Sequence, residues 1–186
     1  DLVKRVAALV PAVEAADTIA MYRRIYPQAK RDEILYMTST DRGYFLDTTI
    51  LAGRKADQNA APVWVYQFYR HTPVEGGRYH TPHASEIPFV FDTLAYGTSI
   101  GGEPTASAQV LSDRMSAAWA NFARHGDPNG GHTITWPKYN SATRPTMVWD
   151  ESPAGPRIEN DPRGEQRKRM LGYGSQQYGA RESGPG

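Results

Sequence analysis

The stretch that most limits how this chain can fold is APVWVYQFYRH, residues 61–71. Val63, Val65, Gln67 and Tyr69 alternate with Trp64, Tyr66 and Phe68, so both sides of an extended segment carry large side chains. A strand that is apolar on both faces needs cover on each, which is the position of an inner strand in an α/β sheet. The pattern predicts a strand over 62–70, buried on both faces. Its backbone donors and acceptors need neighbouring strands. The chain offers only short ones, TMVWD at 146–150 the clearest, so the strands it pairs with are expected to lie outside this sequence.

The first third reads as helical. Leu2, Val6, Leu9 and Val10 fall at helical spacing ahead of Pro11. Asp17 is placed to cap a second helix, whose Ile19, Tyr22 and Ile25 share a face before Pro27 ends it. A third helical region covers about 31–57, with Ile34, Leu35, Tyr44, Phe45, Ile50 and Leu51 turned inward and a break at Thr38–Asp41. Beyond the strand, Leu111, Met115, Ala118, Trp119 and Phe122 form one stripe that predicts a long helix stopped at Gly126. DPRGEQRKRML predicts a short terminal helix, its basic cluster at 163–170 a solvated face, and 172–186 reads as a polar tail.

Composition excludes several function classes. Lys+Arg 21 against Asp+Glu 20 leaves a net charge of +1, too balanced for a nucleic-acid or membrane-surface footprint. No apolar run approaches the ~20 residues of a membrane span. The chain has no cysteine, hence no disulfide, thiolate ligand or cysteine nucleophile, and both a cytoplasmic and a secreted setting fit a soluble protein of this kind. DLVKRVAALV lacks the zones of a signal peptide and reads as the interior of a longer chain.

Chemistry concentrates in YHTPHASEIPFVF, residues 79–91, where Pro82 and Pro88 forbid any regular helix and a buried strand is expected to follow. His80 and His83 are spaced as a zinc pair would be on a helix, but Pro82 opposes the helix and no third ligand is near, so neither a metal nor a cofactor is expected. A neutral imidazole held on a rigid loop suits general-base work, against the alternative of a structural histidine. His71, His125 and His132 need no function. GTSIG, Gly97–Gly101, fits the nucleophile-elbow expression, yet no convincing strand precedes it and the candidate base comes before Ser99 rather than after it. A surface loop is the better reading there.

The order APVWVYQF, a variable loop, HASEIPFVF, a long helix ending AWANFARHGDPN, then WPKY, MVWD and IENDPRGEQRKRM resembles the C-terminal third of type B carboxylesterases, the cholinesterase-like branch of the α/β-hydrolase fold. Bacterial para-nitrobenzyl esterases look nearest, and the likeness runs from about residue 20 to 171. It implies that the fold class is α/β, that 1–171 form the C-terminal part of an α/β-hydrolase domain, and that His83 is the histidine of a Ser-His-acid triad. STDRGYF at 39–45 resembles the family's helical stretch in which the aspartate is structural. The G-E-S-A-G elbow and D-E-G acid motif of such enzymes do not occur here. Serine and acid are therefore expected on an N-terminal portion of the same enzyme, with a small-molecule ester as substrate. Glu86 is read as structural. Ser85 and Ile87 are expected to border the pocket, and Phe89 and Phe91 to be core. A non-catalytic cholinesterase-like interaction module would share all these features except the upstream serine.

Overall fold

The computed structural model describes residues 1–131, 134–151 and 153–175, and it divides into two compact units, Asp1–Arg54 with Arg163 onward, and Lys55–Pro162. His132 and residues 176–186 lie outside the described residues.

The first unit is helical. Helix α1 (Leu2–Val6) is capped by the Asp1 carboxylate, and a 3₁₀ turn at Ala12–Glu14 leads into α2 (Ala15–Ile25). That lead-in sets the start of α2 two residues before Asp17, which therefore sits in the first turn, where its charge suits the helix dipole, instead of capping it. Helix α3 (Arg31–Thr40) continues through a π-helical turn, Asp41–Phe45, into α4 (Leu46–Asp57). The irregularity falls just beyond the expected break and does not interrupt the helix. A π turn holds one residue more than an α turn and so rotates everything after it. Leu51 and Tyr44, predicted to face inward, are exposed as a result, whereas Asp41, Arg42, Leu46 and Asp47 are buried. The core gathers Val6, Ile19, Tyr22, Ile34, Leu35, Leu46 and, from α8 (Gly164–Leu171), Met170.

Polar closure of this unit comes from groups far apart in sequence. The Arg163 guanidinium donates to both Asp41 oxygens, at 2.8 and 2.6 Å, and the Tyr22 hydroxyl donates to Asp41 at 2.6 Å. Burial, and next the Asp41 carboxylate, push the Tyr22 phenol far above its usual range. Arg169 donates to Thr18 and Glu14, and Arg167 is buried. The basic cluster is thus not the solvated face that its composition suggested. Nor is the tail polar from its first residue. Tyr173 packs on the core and donates to Glu14 at 2.7 Å, and the Gly174 carbonyl accepts from Arg42 at 2.6 Å.

The second unit carries the sheet. Strand β1 (Tyr66–Phe68) pairs in parallel with β2 (Pro145–Trp149), and β2 pairs antiparallel with β3 (Arg157–Asn160). Two expectations are corrected here. The regular ladder of β1 is only three residues long, although flanking bonds from Met147 N–H to the Val65 carbonyl (2.9 Å) and from Tyr69 N–H to the Trp149 carbonyl (2.8 Å) extend the pairing. One partner, β2, lies within the chain, and it is β2, between two neighbours, that is buried along its whole length, while β1 is half-buried with no described strand along its other side. Strand β3 escaped notice because its Arg157 and Glu159 carry charge.

Helix α7 (Ala106–His125) packs over this sheet. Thr105 caps it through a bond from Ala108 N–H at 3.1 Å, and Gly126, at φ 68°, ends it in the left-handed conformation glycine favours. Leu111, Met115 and Ala118 are buried as the stripe predicts, Trp119 is half-buried, and Phe122 lies exposed against Trp64 instead of in the core. Trp119 meets Tyr66, Trp136 and Trp149 at ring-centroid distances of 5.0, 6.0 and 6.4 Å.

Candidate active site

The histidine loop leaves the C-terminal end of β1 and returns through a short helix, α5 (Ile87–Val90), in place of the buried strand expected there. Pro88 does not prevent it. A proline within the first turn of a helix forfeits only an N–H that has no intrahelical partner.

Two hydrogen bonds tie the loop back to the strand end. Thr72 N–H donates to the His80 carbonyl at 2.7 Å, and the Thr81 hydroxyl donates to the Arg70 carbonyl at 3.0 Å. Inside the loop, Ser85 N–H reaches the Pro82 carbonyl at 3.1 Å and Ile87 N–H the Ala84 carbonyl at 3.2 Å. The backbone is strained on either side of His83. His80 has φ 54° and Ala84 φ 69°, left-handed values that cost a residue with a side chain ~1–3 kcal/mol each. Such conformations persist only where the surroundings enforce them.

Arg70 stands at the strand end to which the loop is tied. It is 5% exposed. Its Nε donates to Glu151 at 2.6 Å and its Nη1 to the Gly101 carbonyl at 2.9 Å, while the guanidinium lies 5.0 Å from the centre of the Phe89 ring. Glu151, just past the end of β2, also accepts from Thr105 at 3.0 Å and from Ser107. Burial alone would raise its pKa, but the bonds from Ser107, Arg70 and Thr105 outweigh that and hold it below the usual glutamate range. Two close approaches fix the loop's margins: a Cβ on Gly97 would stand 2.4 Å from Cγ of Pro88, and one on Gly102 2.4 Å from Cγ of Pro73.

On this frame His83 is exposed, and His80 is half-buried with its ring edge-on to His71 at 5.1 Å. Ser85 is 3% exposed, and its hydroxyl has no hydrogen-bond partner among the described residues. Ile87 is half-exposed. Phe89 is buried against Phe68 at 5.2 Å, as expected of a core residue, but Phe91 is 70% exposed and is not one. Glu86 opens α5, where its carbonyl accepts from Phe89 and Val90 N–H, both at 3.0 Å. Burial, and next the charge of Glu86, raise the pKa of the Tyr66 phenol. Ser99 lies exposed on a one-turn helix, α6 (Thr98–Gly101), which follows a 3₁₀ turn at Leu94–Tyr96. GTSIG is thus neither a plain loop nor an elbow. Among the described residues no group of His, Asp and Glu is arranged to hold a metal ion, and no helix is long and apolar enough to cross a membrane.

Parallel strands whose C-terminal ends carry an anchored histidine loop, under a long amphipathic helix, form part of an α/β-hydrolase fold. Residues 15–169 match the Carboxylesterase family, and the chain belongs to it. It is 32% identical over 169 residues to the para-nitrobenzyl esterase of Bacillus subtilis, a match covering 87% of this chain and 34% of that protein. The rat acylcarnitine hydrolase shares 40% identity over 82 residues, covering 41% of this chain and 14% of its own length. Among solved structures, a carboxylesterase of Geobacillus stearothermophilus superposes with a TM-score of 0.69 at 28% identity, over 87% of this chain and 32% of that one. The chain spans about a third of the length of the Bacillus and Geobacillus enzymes.

Sequence reasoning missed Arg70 and Glu151. The signal was present: an arginine in the apolar run YQFYRH must find a carboxylate if it is buried, and WDES closes the strand read at 146–150.

Proposed function

We propose that this chain is the C-terminal portion of a serine carboxylesterase and that His83 is its general base. The observation that carries the reading is the position of His83: exposed on a strained, multiply anchored loop that leaves the C-terminal end of a parallel strand, in a chain of the Carboxylesterase family. In α/β sheets that end is where ligands bind. The serine and the triad acid come from the N-terminal portion of the enzyme. The His83 imidazole accepts the serine proton as the serine oxygen attacks the ester carbonyl, then returns that proton to the departing alcohol oxygen. For deacylation it takes a proton from water, whose oxygen attacks the acyl carbonyl, and hands it to the serine oxygen as the acid is released. Ile87 borders the substrate with an apolar contact, and Ser85 lines the pocket from behind it, its hydroxyl buried and engaged by no other described group.

The test is hydrolysis of a short-chain aryl ester by the full-length enzyme. His83→Ala should lower kcat by about 10³-fold or more, because the nucleophile loses its base. His80→Ala should change it by no more than about threefold, within an ordinary surface effect. Near-native turnover by a folded His83→Ala enzyme would refute the assignment.

A further inference from the structure

We propose that Arg70, fixed by Glu151, is a positioning residue that sets where the His83 imidazole stands; this rests on the reading of His83 as the general base. Arg70 grips the histidine loop on both sides. Ahead of His83, its carbonyl takes the Thr81 hydroxyl at 3.0 Å. After it, its guanidinium lies against the Phe89 ring at 5.0 Å, and Phe89 belongs to the helix into which the loop runs. The guanidinium is itself immobilised by Glu151 at 2.6 Å and by the Gly101 carbonyl at 2.9 Å. Glu151 is immobilised in turn by Thr105 and Ser107 at the start of α7. A rigid path therefore runs from the long helix, through the ends of two parallel strands, to the residues flanking His83.

The design has a chemical reason. His80 and Ala84 occupy left-handed conformations that the local sequence does not favour, so the loop left to itself relaxes toward other backbone geometries. A displacement of about 1 Å at a catalytic group can cost about 10²-fold in rate with little effect on binding. An arginine is suited to this task because its planar fork satisfies a carboxylate, a carbonyl and an aromatic face together, which a lysine does not. Removing the fork should leave the histidine present and wrongly placed.

The experiment compares Arg70→Met, Glu151→Leu, Glu151→Gln and His83→Ala in the full-length enzyme, with kcat and KM measured on one aryl ester and melting temperature as the control for folding. Arg70→Met is expected to lose about 30- to 100-fold in kcat with KM within about threefold. Glu151→Leu should follow it. Glu151→Gln keeps its one oxygen for Arg70 and turns its amide NH2 to the two hydroxyls, which can accept, and should recover kcat to within about fivefold of the parent. Should Arg70→Met fail to fold, the Glu151→Leu and Glu151→Gln pair makes the same comparison. If His83→Ala abolishes turnover while Arg70→Met and Glu151→Leu keep native kcat, or lose only through KM, the positioning role is wrong and the general base stands. If His83→Ala keeps turnover, the general-base reading fails, and this inference with it.

Discussion

Each of the two units is built round an arginine paired with a carboxylate distant in sequence, and the two pairs are put to different uses. In the helical unit Asp41 is wholly buried and bonded by Arg163 at both oxygens and by Tyr22 at one. It joins α8 to the π turn and closes the helical core. In the sheet unit Arg70 is the buried partner at 5% exposure, Glu151 keeps 19%, and the pair spans the ends of two strands beside a strained loop. A pair desolvated on the carboxylate side, with every strong donor satisfied, is a closing device. A pair whose arginine also braces a strained backbone is a positioning device.

The contrast is broken most forcefully in the helical unit. Asp41→Ala leaves Arg163 and the Tyr22 hydroxyl without their acceptor in a buried site, and should cost ~3–5 kcal/mol in urea unfolding. If it costs under ~1 kcal/mol, the closing role fails. In the sheet unit the core stripe of α7 offers the next test. Met115→Ala should cost ~2–5 kcal/mol, whereas Phe122→Ala, on the same stripe but exposed, should stay within ~1 kcal/mol. Equal costs would mean that the apolar spacing, and not burial, sets the energetics. Thr105→Ala removes a cap and one donor to Glu151, and should cost ~1 kcal/mol, with Thr105→Ser largely neutral.

The smallest effect is in the pH dependence. Glu151 is held below the usual glutamate range, so its contribution to stability is complete above that range and is lost as the pH falls through its lowered value. The parent should lose stability on acidification from about pH 6 to about pH 3, and Glu151→Gln should lose measurably less over the same interval. Identical slopes would show that this carboxylate is not coupled to folding.

How much of this was legible follows from the range of each interaction. Helix α7 was readable because its signals are local: an apolar stripe, then Gly126 just past the last turn. So was β2, whose TMVW run is wholly buried. What escaped was decided by partners remote in the chain. Arg163 and Arg169 looked like a solvated basic cluster because Asp41, Glu14 and Thr18 lie more than a hundred residues earlier. Tyr44 and Leu51 went to the wrong face because a single π turn shifts the helical phase without any proline or glycine pair to announce it. The candidate histidine was singled out by its motif. The structure adds the strain at His80 and Ala84 and the arginine that opposes it, neither of which the motif contains.

As general base, His83 of the sheet unit governs how turnover depends on pH. The most direct measurement is the pH dependence of kcat/KM for an aryl ester, taken on the full-length parent enzyme and on His83→Gln with matched melting temperatures. The parent should show an acidic limb, and the His83→Gln enzyme should fall about 10³-fold and no longer show that limb. A His83→Gln enzyme that keeps the same limb at near-parent rates would contradict that role.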